Sequence, residues 1–328
     1  MKKDLRFCLI GRGSIGTRHI KNLKTLSYNS IIAYSEDCNK NKDVEFENKY
    51  NIKTVHDLDK VKLFEPDALI IANPTAKHLK FAKIATEINS HIFMEKPLSH
   101  SLEGVHELEI TLSRKNLTFF LANNLRYHPA LCKIKELIDA GGLGNIYFAR
   151  IMAGRYLPDW HNWEDYRNSY SARKELGGGV VLTLQHEIDY AYLLFGRFRR
   201  IKSCVRKISD LDIDVEDIAL IIIETEAGHL LEIHLDYLQR PPKRTIHIQG
   251  TEGSIEYQFG DKDLKYYDFN EQVLKDIVDL EDYDANQMYI DEMEYFVESI
   301  NDDKKHMSNL EDAKYVLKAC MDIKMESI

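Results

Sequence analysis

Three glycines near the start of the chain, Gly11, Gly13 and Gly16, have the spacing G-x-G-x-x-G and follow the short apolar run Leu5–Ile10. The first glycine permits a tight turn, the second lets a diphosphate approach the backbone, and the third lets a helix pack closely on a strand. The N–H groups that begin such a helix also favour an anion. Glycines serve ordinary turns as well. In this context we predict a phosphate-binding segment made of Gly11, Arg12, Gly13, Ser14, Ile15 and Gly16.

Lys96 is a second candidate for chemistry, because it directly follows the apolar strand His91–Met94 and precedes Pro97. Proline biases the residue before it toward an extended backbone. A lysine at the carboxyl end of a parallel strand can give a proton or a hydrogen bond to a developing alkoxide. Glu95 is expected to partner this lysine or to contact a ribose. The plainer interpretation of Lys96 is a solvated side chain that ends a strand.

His186 lies in the segment Val180–Phe195, which follows three consecutive glycines and has helical periodicity. Apolar residues form one face of this predicted helix, and Thr183 and His186 recur on another face. Histidine titrates near neutral pH, so His186 can share proton transfer with Lys96. A histidine on such a helix is also commonly structural.

The elements that would position these groups alternate between strand and helix over residues 1–123. Short continuous apolar strands separated by helices indicate a parallel sheet covered on both faces, with ligands beyond the carboxyl ends of its strands. The predicted strands are Leu5–Ile10, Ile31–Tyr34, Ala68–Ala72, His91–Met94 and Thr118–Ala122. The predicted helices are Ser14–Leu26, Asn39–Tyr50, Ala76–Ile88 and Leu102–Lys115.

After residue 123 the pattern changes to strands of period two, which are typical of an antiparallel sheet with one buried face. We predict an α/β Rossmann domain, a doubly wound parallel sheet, over residues 1–123. Residues 124–328 are predicted to form an α+β domain with an open, mainly antiparallel sheet. Its predicted strands are Ile146–Ala153, Ile201–Ile208, Ile218–Glu224, Leu230–Tyr237, Thr245–Gln249 and Ser254–Phe259. Its predicted helices are Pro129–Ala140, Val180–Phe195, Met288–Ile300 and Leu310–Met325.

Length and composition are those of an ordinary globular protein, with 328 residues, of which 44% are hydrophobic and 30% charged. The formal charge of −9 disfavours nonspecific binding to nucleic acid. No apolar run reaches the roughly 18 residues that a membrane span needs, and the start Met1-Lys2-Lys3-Asp4 leaves no room for a signal peptide. The five dispersed cysteines contain no C-x-x-C pair, which favours reduced thiols in a cytoplasm and predicts no metal site.

Six motifs together resemble the Gfo/Idh/MocA oxidoreductase family over essentially the whole chain. The resemblance implies a nicotinamide Rossmann domain joined to an open-sheet substrate domain, a cis Lys96–Pro97 bond, and dimers or tetramers. Residues 160–172 also resemble a subgroup found in bacterial surface-sugar and nonulosonic-acid pathways. The motifs are Gly11–Gly16, Asn73-Pro74-Thr75 with His78, Glu95-Lys96-Pro97, Asn124–Pro129, Gly177-Gly178-Gly179 and His186-Glu187-Ile188-Asp189.

The resemblance extends the cofactor site beyond the glycine segment. Asn73, Pro74 and His78 would border the nicotinamide, although Asn-Pro-Thr is also a plausible helix cap. An acidic residue about 20 positions beyond the last glycine normally receives the ribose hydroxyls in NAD enzymes. Ser35 takes that position here and Glu36 follows it. Serine at this position tolerates the 2′-phosphate of NADP, whereas Glu36 would repel it. The sequence therefore leaves the choice between NAD and NADP open.

Substrate contacts are expected from the second domain. Asn124 and Arg126 open that domain, and Arg126 would either clamp a substrate or bridge domains. The long stretch 154–176 interleaves aromatic and basic residues that suit sugars and carboxylates, although an internally salt-bridged loop is the alternative. The predicted substrate-binding residues are Asn124, Arg126, Trp160, Arg167, Tyr170, Thr183 and His186, with Arg155, Tyr156, His161, Trp163, Tyr166, Arg173 and Lys174 completing the stretch.

By this resemblance the chain is expected to be an NAD(P)-dependent oxidoreductase acting on a hydroxyl or ketone carbon of a sugar or sugar acid. Lys96 and His186 would handle the proton, and partners would be a sugar-like small molecule and a homodimer or homotetramer, with no nucleic acid or membrane. Thr183 departs from the pattern, since many relatives have aspartate there. That departure motivates one alternative, a non-catalytic nucleotide-dependent sugar sensor. A cofactor-retaining epimerase or glycosidase is a further alternative.

Overall fold

The computed structural model describes residues 4–160, 164–301 and 308–326. It forms two compact units, residues 1–123 with 286–314 and residues 124–285 with 315–328. The sequence pattern assigns all of 124–328 to one domain, whereas residues 286–314 pack with the first unit. Among the described residues, no helix is both long enough and apolar enough to cross a bilayer.

The elements are numbered along the chain. The strands are β1 Phe7–Ile10, β2 Ile31–Tyr34, β3 Lys53–Val55, β4 Ala68–Ile71, β5 His91–Glu95, β6 Phe119–Ala122, β7 Ile146–Gly154, β8 Phe198–Arg206, β9 Ile218–Thr225, β10 Leu230–Asp236, β11 Lys243–Gly250, β12 Gly253–Gln258, β13 Asp263–Asp268 and β14 Val273–Asp279. The helices are α1 Ser14–Thr25, α2 Lys40–Tyr50, α3 Leu58–Phe64, α4 His78–Glu87, α5 Val105–Lys115, α6 Pro129–Asp139, α7 Val180–Thr183, α8 His186–Phe195, α9 Gln287–Asn301 and α10 Leu310–Met325.

The first unit contains a six-stranded sheet in the order β3-β2-β1-β4-β5-β6. All five strand pairings are parallel. The strands β1, β2, β4 and β6 are buried along their whole length, which explains their continuous apolar sequences. Because the strand order reverses between β1 and β4, a crevice opens beyond their carboxyl ends.

Helix α9 belongs to the first unit because its apolar face completes the packing beside β5 and β6. The Phe296 ring lies 5.3 Å from that of Phe93 and 5.9 Å from that of Phe120. Met293 and Phe296 are fully buried. The hydrophobic faces of a helix and a sheet must each find a partner, and this contact supplies it across nearly 200 residues of chain.

The second unit is built on an eight-stranded sheet in the order β14-β13-β12-β11-β7-β10-β9-β8. The central pair β7 and β10 is parallel, and the other pairings are antiparallel. Strands β9 and β10 alternate as predicted: Ile221 and Ile233 are buried, while Leu220 and Ile222 point to solvent. The predicted class of a mainly antiparallel sheet is therefore confirmed.

Several predicted elements are wrong in detail. The short strand β3 and the two strands β13 and β14 are absent from the prediction. The single helix predicted over Val180–Phe195 is broken into α7 and α8, because the backbone hydrogen bonding changes at Leu184 and Gln185. Thr183 therefore ends one helical segment and His186 begins the next.

Candidate active site

The predicted glycine turn lies directly beyond β1, at the point where the sheet order reverses. Gly11 has a φ of +103°, and a Cβ there would lie 2.6 Å from the carbonyl carbon of Ala72. A Cβ on Gly16 would collide with the carbonyl oxygen of Gly11. These two positions therefore require glycine for reasons of the fold alone.

Gly13 differs from its neighbours, because a Cβ there would meet no described atom within 4 Å. It has φ −71° and ψ −174° and stands at the N-cap of α1. Among the described residues no side chain caps α1, and its first turn contains no acidic residue. By contrast, Asn39 caps α2 and Asp57 caps α3. The start of α1 thus combines open space with unsatisfied N–H groups, which is the arrangement that binds a phosphate.

A cleft of about 110 Å³ continues from this turn, within the first unit. The amide oxygen Oδ1 of Asn73 in its wall is buried and has no hydrogen-bond partner in the described part of the chain. A buried polar atom of this kind implies a missing partner. The open backbone at Gly13, the bare helix end and this orphaned oxygen fit an adenine dinucleotide. The residues that line the cleft are Ile10, Gly11, Arg12, Tyr34, Ser35, Glu36, Asn73, Pro74, Lys77 and Phe81.

The end of the cleft beyond β2 carries a network around Ser35. Arg12 donates to the Ser35 hydroxyl at 2.9 Å and to the Asp43 carboxylate at 2.5 Å. His56 lies 2.8 Å from the other oxygen of Asp43. Burial works against ionisation of Asp43, yet hydrogen bonds from Arg12 and His56 lower its pKa. Arg12 is thereby held beside Ser35, the position predicted to contact the adenosine ribose.

Glu36 turns away from Ser35 toward two lysines. Its carboxylate oxygens lie 2.5 Å from Lys77 Nζ and 2.6 Å from Lys80 Nζ. Hydrogen bonds from these two lysines lower the pKa of Glu36. The negative charge that the sequence suggests would repel a 2′-phosphate is therefore largely compensated, although exposed pairs of this kind are screened by salt.

His78 connects the loops that follow β4 and β5. Its Nδ1 lies 2.7 Å from the carbonyl oxygen of Pro97, and its Nε2 lies 2.9 Å from that of Asn73. The side chain is buried, and burial lowers the pKa of His78 despite these two carbonyls. His78 would thus serve a cofactor site through the backbone that it holds. Lys96 directly precedes Pro97, and the Lys96–Pro97 bond is cis, as the resemblance implies.

Glu95 points toward α1. Its Oε1 lies 2.7 Å from Nε2 of the buried His19. Neither His19 nor this contact is part of the sequence prediction. The available signal was a histidine three residues after Gly16, on the face of α1 that packs against the sheet.

In the second unit, Arg126 donates from Nε and Nη2 to the Asp189 carboxylate at 2.9 and 2.7 Å. Both side chains are buried, at 1% and 2% exposure. The sequence prediction offered Arg126 as a substrate clamp or a bridge between domains, and the structure pairs it inside its own unit. Asn124 begins the same short 3-10 helix and is also buried.

Thr183 and His186 flank the break between α7 and α8. The Thr183 hydroxyl is buried and accepts a hydrogen bond from the Tyr237 hydroxyl at 2.7 Å. Burial raises the pKa of Tyr237 well above its usual range, so this phenol stays protonated. His186 is half-buried at the start of α8.

The described part of the predicted substrate loop contains short 3-10 turns, and ion pairs form between residues close in sequence. Arg167 binds Asp165 at 2.5 Å, and both are exposed. Trp160 donates from Nε1 to the Arg155 carbonyl at 3.0 Å, and its ring lies edge-on to Tyr237 at 5.5 Å. Tyr170 is half-buried. The predicted members His161 and Trp163 lie outside the described residues.

A parallel sheet of this order, with a glycine turn at its reversal point and a bare helix end beyond it, defines a Rossmann nucleotide-binding domain. Residues 5–123 match the model of the oxidoreductase family with an NAD-binding Rossmann fold, and residues 131–256 match the GFO/IDH/MocA C-terminal domain. The chain belongs to the Gfo/Idh/MocA family of oxidoreductases.

Relatives and solved structures agree with this membership. The chain is 27% identical over 227 residues to levoglucosan dehydrogenase of Pseudarthrobacter phenanthrenivorans, a match covering 61% of this chain and 57% of the relative. It is 24% identical over 195 residues to myo-inositol 2-dehydrogenase of Thermotoga maritima, covering 58% and 55%. These matches span little more than half the length of the relatives. A levoglucosan dehydrogenase structure in complex with NADH and levoglucosan has the same fold, with a TM-score of 0.87, 19% identity and coverage of 98% and 97%.

Proposed function

We propose that this protein is an NAD(P)-dependent oxidoreductase that transfers hydride to or from a hydroxyl-bearing or ketone carbon of a sugar or sugar acid. One observation carries the proposal. The space beside Gly13 is free for a ligand, whereas backbone atoms of the protein fill the space beside Gly11 and Gly16. A phosphate bound there directs the rest of a dinucleotide along the cleft past Asn73. The similarity to sugar and cyclitol dehydrogenases supports the substrate class.

The glycine turn and the cleft past Asn73 would hold a nicotinamide dinucleotide, which would supply the hydride chemistry. Lys96 is proposed to hold the proton at its Nζ, giving it to the forming alkoxide during reduction and taking it back during oxidation. His186 is the second proposed proton-handling group. Arg167, Tyr170 and Trp160 are proposed to bind the sugar, whose C–H face suits aromatic rings and whose carboxylate, where present, suits a guanidinium.

The test is absorbance at 340 nm with NADH and NADPH over a panel of neutral, phosphorylated and acidic sugars. Lys96→Met should lower kcat by at least about a hundredfold if the lysine moves the proton. Lys83→Met, an exposed lysine on α4, is the matched control and should change nothing. Full turnover by Lys96→Met would contradict the proton role.

The same assay separates the alternatives that stay open. Tight NADH binding without hydride exchange on any sugar favours a sensor. Product formation without net change in NADH favours an epimerase or a glycosidase that restores its cofactor. Steady NADH consumption matched to product supports the dehydrogenase.

We also propose that the chain forms a homo-oligomer through the outer face of its second sheet. Leu220, Ile222 and Leu230 share that face and are 45%, 54% and 53% exposed. An apolar face of this kind is typical of an association surface. Ile222→Lys should shift the mass measured by light scattering toward the monomer, whereas Leu63→Lys, at an exposed position on α3, should not. A monomeric wild type would contradict this proposal.

A reducing, cytoplasmic location is the last part of the proposal. All five cysteines are free, and Cys8 and Cys320 are buried. Burial raises the pKa of both buried thiols, so they are inert. Thiol titration of the unfolded protein should find five free thiols without added reductant, and fewer would argue for an oxidising compartment.

A further inference from the structure

Three polar side chains from three separate elements meet inside the first unit, outside the cleft. They are His19 on α1, Glu95 at the end of β5 and Glu292 on α9, and their ligand-type atoms lie within 4.8 Å of one another. His19 and Glu292 are completely buried. We call these three residues the Glu95 clamp.

The surroundings of the clamp are apolar and aromatic. The His19 ring lies edge-on to Phe93 at 4.9 Å and to Tyr289 at 6.5 Å. Both carboxyl oxygens of Glu292 and the Nδ1 atom of His19 have no hydrogen-bond partner among the described residues. Two ionised carboxylates in such a place would repel each other and lose their hydration.

The charge balance favours a proton on Glu292. Burial and the repulsion of Glu95 raise the pKa of Glu292 well above its usual range, and the opposing charge of Arg18 is the smaller effect. Arg18 itself stacks on Tyr289, with its guanidinium carbon 4.3 Å from the ring centroid. A protonated carboxyl has one O–H donor, and the Glu95 carboxylate has acceptor capacity beyond its contact with His19.

We propose that His19 and the nearby Glu292, as a neutral acid able to donate its O–H, together hold the Glu95 carboxylate and thereby position Lys96. The proposal rests on the proposed function of Lys96. Glu95 is the last residue of β5 and Lys96 follows it, so any shift of Glu95 passes directly to the lysine. On the other side, His78 contacts the carbonyl of Pro97. Lys96 is thus fixed from both neighbours, and Glu292 acts as a positioning residue.

The kinetic test compares three substitutions in the full chain. Glu292→Gln keeps the size, the neutral state and an N–H donor, so it should keep kcat within about threefold of wild type. Glu292→Met removes the donor and should lower kcat by about tenfold or more, with the Kd for NADH within about threefold. Glu294→Met changes an exposed residue of the same helix and serves as the control. A purely structural role would instead change Kd and thermal stability together with kcat.

A second measurement needs no turnover and stays informative if no sugar is a substrate or if Glu292→Met fails to fold. Infrared spectroscopy at pH 7 should show the C=O stretch of a buried protonated carboxylic acid that disappears in Glu292→Gln. Absence of that band overturns the proposal. So does a kcat in Glu292→Gln as low as in a folded Glu292→Met, or a stoichiometric metal ion that survives a chelator and is lost in Glu292→Gln. Each of the last two results would mean that Glu292 works as an ionised carboxylate.

Discussion

Arg126 and Asp189 form a two-point ion pair that is almost completely buried in the second unit, with contacts of 2.9 and 2.7 Å. Asp189 lies on α8, three residues after His186, and Arg126 lies in the short helix before α6. The pair therefore ties the segment that carries the candidate histidine to the beginning of its unit.

Removing one partner of this pair should be costly. Arg126→Met takes the two-point guanidinium contact away from the buried Asp189 carboxylate, so we expect a loss of about 3–5 kcal/mol in the free energy of unfolding. Arg126→Met with Asp189→Leu should recover most of that loss, because both charges of the pair are then removed. Denaturant unfolding measures the free energy of unfolding of the single and the double variant. Arg150→Met breaks an exposed pair with Glu232 and should cost less than about 1 kcal/mol. Equal effects in Arg126→Met and Arg150→Met would refute this account.

Alanine at the glycine turn should separate folding from binding. Gly13→Ala finds open space and a backbone that alanine adopts, so stability should stay within about 0.5 kcal/mol. The methyl group would enter the space proposed for the phosphates, and the Kd for NADH should rise by about tenfold or more. Gly11→Ala should destabilise the fold itself, because of its positive φ and the contact with Ala72. Calorimetry measures the Kd for NADH, and thermal unfolding measures the stability of each variant. Unchanged NADH binding by Gly13→Ala would exclude the phosphate site.

Ser35→Asp should alter the choice of coenzyme. A carboxylate at this position accepts the ribose hydroxyls of NADH and repels a 2′-phosphate. It would also compete with Asp43 for Arg12. The ratio of the Kd for NADPH to that for NADH should rise by about tenfold or more, corresponding to about 1.4 kcal/mol. Ser30→Asp, at the opposite end of β2 from Ser35, is the control. A constant ratio would place the ribose elsewhere.

His128 predicts a specific pH dependence of stability. It caps α6 by accepting from the Ala130 amide, and burial, with help from the Arg244 charge, lowers its pKa from 6.5 to about 4. The contribution of neutral His128 to the free energy of unfolding is fully present above 6.5, its pKa in the unfolded chain. This contribution is lost as the pH falls from 6.5 through about 4. The complete loss lowers the free energy of unfolding by about 3 kcal/mol. His128→Asn keeps a cap acceptor without titrating, so its unfolding free energy should fall less over this range. Parallel slopes for the two proteins would argue against a neutral buried His128.

The sequence predicts best where the chemistry is local. The glycine turn and the lysine after β5 are encoded in a few adjacent residues, and both lie at carboxyl ends of strands as expected. Strand β3 has only three residues, which gives no periodicity to detect. Asp189 lies 63 residues from its partner Arg126, and His19 lies 76 residues from its partner Glu95. Only the folded chain therefore reveals these pairs. The break before His186 contains neither glycine nor proline and depends equally on tertiary contacts.

The return of residues 286–314 to the first unit has a consequence for biosynthesis. A ribosome that has made only the first 123 residues has not yet made the aromatic helix that covers the sheet beside β5, nor the Glu292 that faces Glu95. The coenzyme domain can reach its final packing only after the whole of the intervening sheet has been translated. Its nascent form should therefore depend on chaperones for longer than its place at the front of the chain suggests.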